Sequence, residues 1–181
     1  MFLNIRDMEV RPIIFDLTYA PGEIEFLEAG LRQRTDLKVE GRAEWLELVE
    51  EIHLKGSFSV EMESDCERCL ELAVMPVQRG FDLYYRAANS PAGGGEVALK
   101  EGEVEMGFFE GQGLELLEVL REQVLLALPM QRVCEPACHG LCPSCGINRN
   151  REQCSCVSEL VDERWAALKG FAVPAPSALE K

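Results

Sequence analysis

The chain has 181 residues, 47% of them hydrophobic, and its 18 Lys/Arg against 32 Asp/Glu leave a net charge of −14. That length suffices for one cored domain, or one domain and a small appendage, without covalent staples. The surplus of carboxylates is a poor footprint for a phosphate-backbone binder, which ordinarily needs a basic face, and it suits a basic protein partner or simple solubility.

The first ten residues, Met1 to Val10, carry acids at Asp7 and Glu9 and no basic stretch ahead of an apolar run, so they do not read as a secretory signal. No apolar run approaches the roughly 20 residues that cross a bilayer. The expected location is cytoplasmic, without a membrane partner, and persistent disulfides are uncommon there. Residues 11–19 are apolar and β-prone, and Pro21-Gly22 breaks the chain after them. Between about 36 and 86 apolar and polar residues alternate: Leu37 and Val39, Ile52 and Leu54, Phe58, Val60 and Met62, then Leu70, Leu72 and Val74, and Phe81, Leu83 and Tyr85. Strict alternation predicts an antiparallel sheet with one wet face. His53 falls on that polar face, where an exposed side chain is expected. Cys66 and Cys69 fall between two strands, at a hairpin tip.

Residues 87–113, with Gly93-Gly94-Gly95 and several glutamates, read as an acidic loop containing a short strand near 103–109. The period then changes. Leu114, Leu117, Leu120, Val124, Leu125 and Leu128 form a helical stripe over 114–128, which Pro129 ends. A short final helix is expected over 158–169, with Ser158 as N-cap and Gly170 as stop, and a tail follows at 171–181. The fold class expected is α+β: an antiparallel sheet body packed on one main helix, with a C-terminal cysteine-rich zinc knuckle and a short final helix. The division expected is an acidic body at 1–129, a cysteine-rich segment at 130–170 and a flexible tail at 171–181. Residues 1–129 carry 12 Lys/Arg and 26 Asp/Glu, whereas residues 130–170 carry five of each.

The eight cysteines stand in four close pairs: Cys66/Cys69, Cys134/Cys138, Cys142/Cys145 and Cys154/Cys156. Thiolates are soft ligands, and Zn2+ takes four of them in a tetrahedron. Four pairs fill two sites, so about two structural zinc ions per chain are expected. Cys142-Pro-Ser-Cys145-Gly146 is the sharpest signal, because Pro fixes one backbone angle and Gly tolerates positive φ after the second ligand. Two partitions are open. The first joins Cys142/Cys145 to Cys154/Cys156 and Cys66/Cys69 to Cys134/Cys138. The second joins Cys66/Cys69 to Cys142/Cys145, as in a zinc ribbon. His139 reads as a neighbour of the site or a solvent-facing residue, since cysteines are in even supply. A thiol redox centre would need a helix N-terminus behind its CxxC, and a catalytic zinc an open position. No Walker loop, GxGxxG, GxSxG or HExxH occurs, and no carboxylate pair stands out, so no enzyme and no small-molecule substrate are expected.

The string from Cys134 through Cys138, Gly140-Leu141-Cys142-Pro-x-Cys145-Gly146, Asn148 and Asn150 to Cys154-x-Cys156 resembles the C-terminal signature of the YceD-like family, the large ribosomal RNA subunit accumulation proteins. Gly56 ahead of a strand leading into Cys66-x-Arg68-Cys69-Leu70, the run into Leu128-Pro129, and Asp162-x-Arg164-Trp165-x-x-Leu168 agree with it. Arg149 stands where Leu is common, and Glu163 where Pro is usual; neither is a ligand. The resemblance implies a role in accumulation or processing of 23S ribosomal RNA and in large-subunit assembly. Because some members lack most of these cysteines, it also implies that the metal stabilises rather than acts. The partner implied is the precursor large subunit, through its RNA or a basic ribosomal protein. Direct RNA contact would use the less acidic end: Arg132, Asn148, Arg149, Asn150 and Arg151. The asparagines also fit as caps of the knuckle turn. The acidic body favours escort of a basic ribosomal protein without any direct RNA role.

Overall fold

Alternating apolar residues build two long strands, β5 (Glu51–Asp65) and β6 (Leu72–Ala87), which pair antiparallel along their whole length from Glu51↔Arg86 to Asp65↔Leu72. In β5 the inward residues are Ile52, Leu54, Phe58, Val60, Met62 and Ser64, every second position except at Gly56. The computed structural model describes residues 1–88, 106–156 and 164. The expected helix at 158–169, apart from Arg164, and the tail at 171–181 lie outside these residues. So does most of the acidic loop. The chain divides into two compact units, Met1–Cys138 and His139–Lys181.

Around the long hairpin the first unit adds β1 (Phe2–Asn4), α1 (Ile5–Val10), β2 (Ile13–Tyr19), β3 (Arg32–Gln33), β4 (Leu37–Leu46), β7 (Met106–Phe109), β8 (Gly113–Glu115) and α2 (Leu116–Ala127). The main sheet runs β2-β4-β5-β6-β7, with β3 also on β5, and β1 pairs β8 separately. The pairings are antiparallel as expected, except that β7 lies parallel to β6, with Tyr84↔Met106 through Ala87↔Phe109. Asn4 caps α1 by accepting the Arg6 N–H, a turn that the opening residues did not suggest.

The leucine stripe is core, but its face is rotated. Leu114 belongs to β8, and α2 buries Leu116, Val119, Leu120, Gln123 and Val124, with Leu117 and Leu125 only partly covered. The four apolar members join one hydrophobic cluster with Phe15, Val39, Leu54, Phe58 and Tyr85. Leu128 is extended (ψ 147°), because Pro129 disfavours helical geometry in the residue before it.

One row across the sheet reads Phe15↔Gly41↔Gly56↔Phe81. Gly56 therefore lies inside β5, not ahead of it. A Cβ on Gly56 would stand 2.4 Å from the Glu40 carbonyl and 2.7 Å from Phe81 Cζ, and one on Gly41 would stand 2.6 Å from both Lys55 O and Phe15 Cζ. The two rings fill the space that side chains on the glycines would take. Tyr85 repeats the device over Gly107, where a Cβ would meet its ring at 2.4 Å.

His53 is not simply exposed. Its ring stacks on Tyr84 (centroids 4.5 Å apart, 7° between planes), with Nδ1 3.1 Å from Glu44 and Nε2 2.6 Å from Asp82. Lys55 also donates to Asp82 at 2.7 Å, and these two partners hold the Asp82 carboxyl below its ordinary range.

Gly56→Ala is expected to lower unfolding free energy by about 1–3 kcal/mol in chemical denaturation, since a backbone carbonyl and a buried ring must both move. Gly80→Ala, whose Cβ would meet nothing closer than 3.6 Å, is expected to change it by less than about 0.5 kcal/mol.

Two cysteine tetrads as candidate metal centres

The β5–β6 hairpin is closed by Cys66-Glu-Arg-Cys69, whose backbone turns back so that Leu70 N–H reaches the Cys66 carbonyl at 2.9 Å. The segment after α2 brings in Cys134 and Cys138. Glu67 N–H donates to Arg132 O (2.9 Å), and Arg68 Nη1 donates to Cys138 O (3.1 Å). The sulfurs of Cys66, Cys69, Cys134 and Cys138 consequently lie within 4.8 Å of one another. Cys66, Cys69 and Cys138 are buried against Ala73 and Val133, in a small cluster separate from the main core.

In the second unit Cys142-Pro-Ser-Cys145-Gly146 makes the same turn. Gly146, at φ 75°, donates its N–H to the Cys142 carbonyl at 2.9 Å. Cys142 N–H bonds Ile147 O, Leu141 bridges Asn148, and Arg149 N–H bonds Gly140 O. Cys142, Cys145, Cys154 and Cys156 form the second tetrad, again within 4.8 Å, with Cys142 buried and Cys145 and Cys156 exposed. Of the two partitions open to the sequence, the thiols gather in the first.

Their spacing fits a tetrahedral cation. With Zn–S bonds of about 2.3 Å, neighbouring sulfurs in a tetrahedron stand about 3.8 Å apart. Cys66 and Cys138 are 3.8 Å apart, and Cys69 and Cys134 are 3.6 Å apart. A disulfide would bring sulfurs to about 2.05 Å. Either tetrad can hold a metal ion through its four Sγ atoms.

The electrostatics point the same way. At Cys66, burial raises the thiol pKa, but N–H groups of Cys134, Arg68 and Cys69 outweigh it and bring it to about 6. Cys142 falls to about 6 through N–H groups of Cys145 and Ser144. Ionising these thiols disfavours ionising their neighbours. Burial and the surrounding thiols push Cys134 to about 12, and the Cys145 thiol with burial pushes Cys156 to about 12. Cys69 and Cys154 are also raised, despite favourable backbone N–H groups from Glu71 and Cys156. Four sulfurs this close cannot all carry charge alone, and a bound divalent cation removes that conflict.

The residues considered for RNA contact have separate positions. Arg132 belongs to the first unit, half-buried and paired with Glu28. Asn150 Oδ1 accepts the His139 N–H at 2.7 Å, and Asn148 Oδ1 accepts the Asn150 N–H at 3.0 Å, so both asparagines shape the knuckle. The Arg149 and Arg151 side chains are exposed. Arg149 and His139 line a cleft of about 310 Å3 beside Cys142, Cys154 and Cys156. Sequence reasoning noted Arg68 only as part of the family resemblance and missed its role: its hydrogen bond to Cys138 O links the two halves of the first tetrad. Its place inside the CxxC was the available signal.

Reduced protein is expected to bind about two zinc ions by elemental analysis. Cys138→Ser should leave about one and lower the unfolding free energy of the first unit by roughly 3 kcal/mol or more at a hundredfold metal excess over Kd. Cys156→Ser should also leave about one, without that loss. At neutral pH, zinc addition is expected to release two or more protons per site, because Cys69 and Cys134, and Cys154 and Cys156, lie above their ordinary 9.0. Zinc affinity should accordingly fall as pH falls, which an indicator titration reads directly.

Among the described residues, no helix is long and apolar enough to cross a membrane. Uncharacterized proteins of Mycobacterium tuberculosis and Mycobacterium bovis are each 27% identical over 159 residues, covering 86% of this chain and 71% of theirs. A chloroplastic protein of Arabidopsis thaliana, described as large ribosomal RNA subunit accumulation protein YCED homolog 1, is 30% identical over 59 residues, 33% of this chain and 18% of its own. No solved structure matches. The family model for large ribosomal RNA subunit accumulation protein YceD matches residues 54–172, a span that starts inside β5 and takes in all eight cysteines. The chain belongs to the YceD family.

Proposed function

We propose that this chain is a non-catalytic assembly factor of the large ribosomal subunit, acting in the cytoplasm to support accumulation or processing of 23S ribosomal RNA. The family match over residues 54–172 carries this reading. Two zinc ions held by the two tetrads would be structural, because four thiolates fill a tetrahedral site and leave no position for water or substrate. This chain's own groups prepare each site: backbone N–H groups lower Cys66 and Cys142, and the knuckle hydrogen bonds fix the sulfurs in place.

Charge supports a basic ribosomal protein as the direct partner of residues 1–129, which carry 26 acids against 12 bases. A second reading places RNA at the exposed Arg149 and Arg151 side chains of the charge-balanced second unit. Tagged protein should sediment with precursor large subunits on sucrose gradients, and its depletion should lower 23S relative to 16S ribosomal RNA. Sedimentation only as free protein, with an unchanged RNA ratio, would sink the proposal. Arg149→Glu with Arg151→Glu should leave sedimentation intact if the partner is a protein, and should abolish it if RNA is held there.

A further inference from the structure

The two knuckles make the same closing turn bond, and the residue that makes it differs in kind between them. In each, the residue after the second cysteine has positive φ and donates its N–H to the first cysteine's carbonyl at 2.9 Å. In the second knuckle that residue is Gly146, for which the conformation is free of steric cost. In the first it is Leu70, at φ 62°. Any Cβ there comes too close to the following carbonyl. Burial does not compensate, because Leu70 is 66% exposed. The Leu70 side chain gains no burial in return for this conformation; Glu50, at φ 54° in the turn from β4 to β5, carries the same strain on a polar side chain, so it is the apolar group at Leu70 that calls for another use.

Its surroundings indicate for what. Leu72, two residues on, is 50% exposed and stands opposite Asp65 in the sheet register. Asp65 and Glu67 are exposed on the same tip, as is Arg68, whose guanidinium is engaged by Cys138 O and Gln131 Oε1. The tip is rigid: Cys66 N–H bonds Glu71 O at 2.7 Å, Glu67 N–H bonds Arg132 O, and Arg68 holds Cys138 O. A rigid apolar pair framed by carboxylates loses little conformational entropy on binding. It complements a cationic chain carrying its own apolar side chains, and repels a phosphate backbone.

We infer that Leu70 and Leu72, framed by Asp65 and Glu67, form the docking point for a basic protein segment with apolar anchors. This rests on the acidic body's proposed preference for a basic ribosomal protein and names where that partner seats. Leu48 and Val49, between Glu47 and Glu50 at the turn from β4 to β5, form a second acidic and apolar tip, which the single turn bond Val49 N–H to Leu46 O spans. That tip serves as the internal control.

The test immobilises the zinc-loaded full chain and passes over it large-subunit ribosomal proteins released from subunits by lithium chloride, with deproteinised 23S RNA in a separate arm. The expected result is retention of specific basic proteins, reduced about tenfold or more by Leu70→Gly and by Leu70→Asn, and unchanged by Leu48→Ser. Both Leu70 variants should keep about two zinc ions and melt no lower than the parent. Unchanged retention by the Leu70 variants, loss through Leu48→Ser instead, retention of RNA alone, or loss of zinc and stability in Leu70→Gly would each overturn the inference. If tagged chain sediments with precursor subunits while Leu70→Gly retains its proteins fully, the docking point fails and the assembly role stands.

Discussion

Four sulfur atoms, two from a hairpin tip and two from a segment 72 residues later for the Cys66–Cys138 pair, have to converge to within 4.8 Å in the first unit. That convergence constrains much else. It sets where β5 stops and β6 starts, since Cys66 and Cys69 are the turn between them. It also sets where the chain must go after α2: Arg132 and Cys138 offer carbonyls to Glu67 and Arg68. The burial around these thiols is small compared with the main core, so geometry and charge, more than apolar area, hold the end of the sheet together.

Much of this was legible in the sequence because it depends on local rules. Period-two alternation gave the long strands, the change of period gave α2, and paired cysteines gave eight ligands for two sites, with the grouping open between two partitions. What escaped depends on distant neighbours. Nothing local in Met106–Phe109 says that it pairs parallel with β6. The face of α2 turned because Leu114 is used by β8, which in turn depends on β1 at the other end of the unit. His53 looked like an ordinary outward residue because its two carboxylate partners come from β4 and β6. The row of Phe15, Gly41, Gly56 and Phe81 likewise exists only once four strands are in register.

The two tetrads share a turn and differ in their setting. The first is enclosed by sheet and loop, and its thiols draw on N–H groups from both halves of the site. The second depends on a short stretch of its own unit, with Asn148 and Asn150 fastening the loop and two of its four cysteines exposed. Structural metals in such different surroundings would do different mechanical work. One would tie a sheet to a distant segment; the other would shape residues 139–156, a short stretch with little apolar material to bury.

The separation of Cys66 from Cys138 also has a consequence in time. A ribosome adds roughly 5–20 residues per second, so Cys66 and Cys69 emerge several seconds before Cys138. During that interval the hairpin tip is half a site, with two thiols and no partners. The second tetrad spans only residues 142 to 156 and can close almost as soon as it is made. Metal loading would therefore follow the direction of translation in an unexpected way: the site whose ligands begin earlier must wait for the end of a long segment, and the one made last closes fastest.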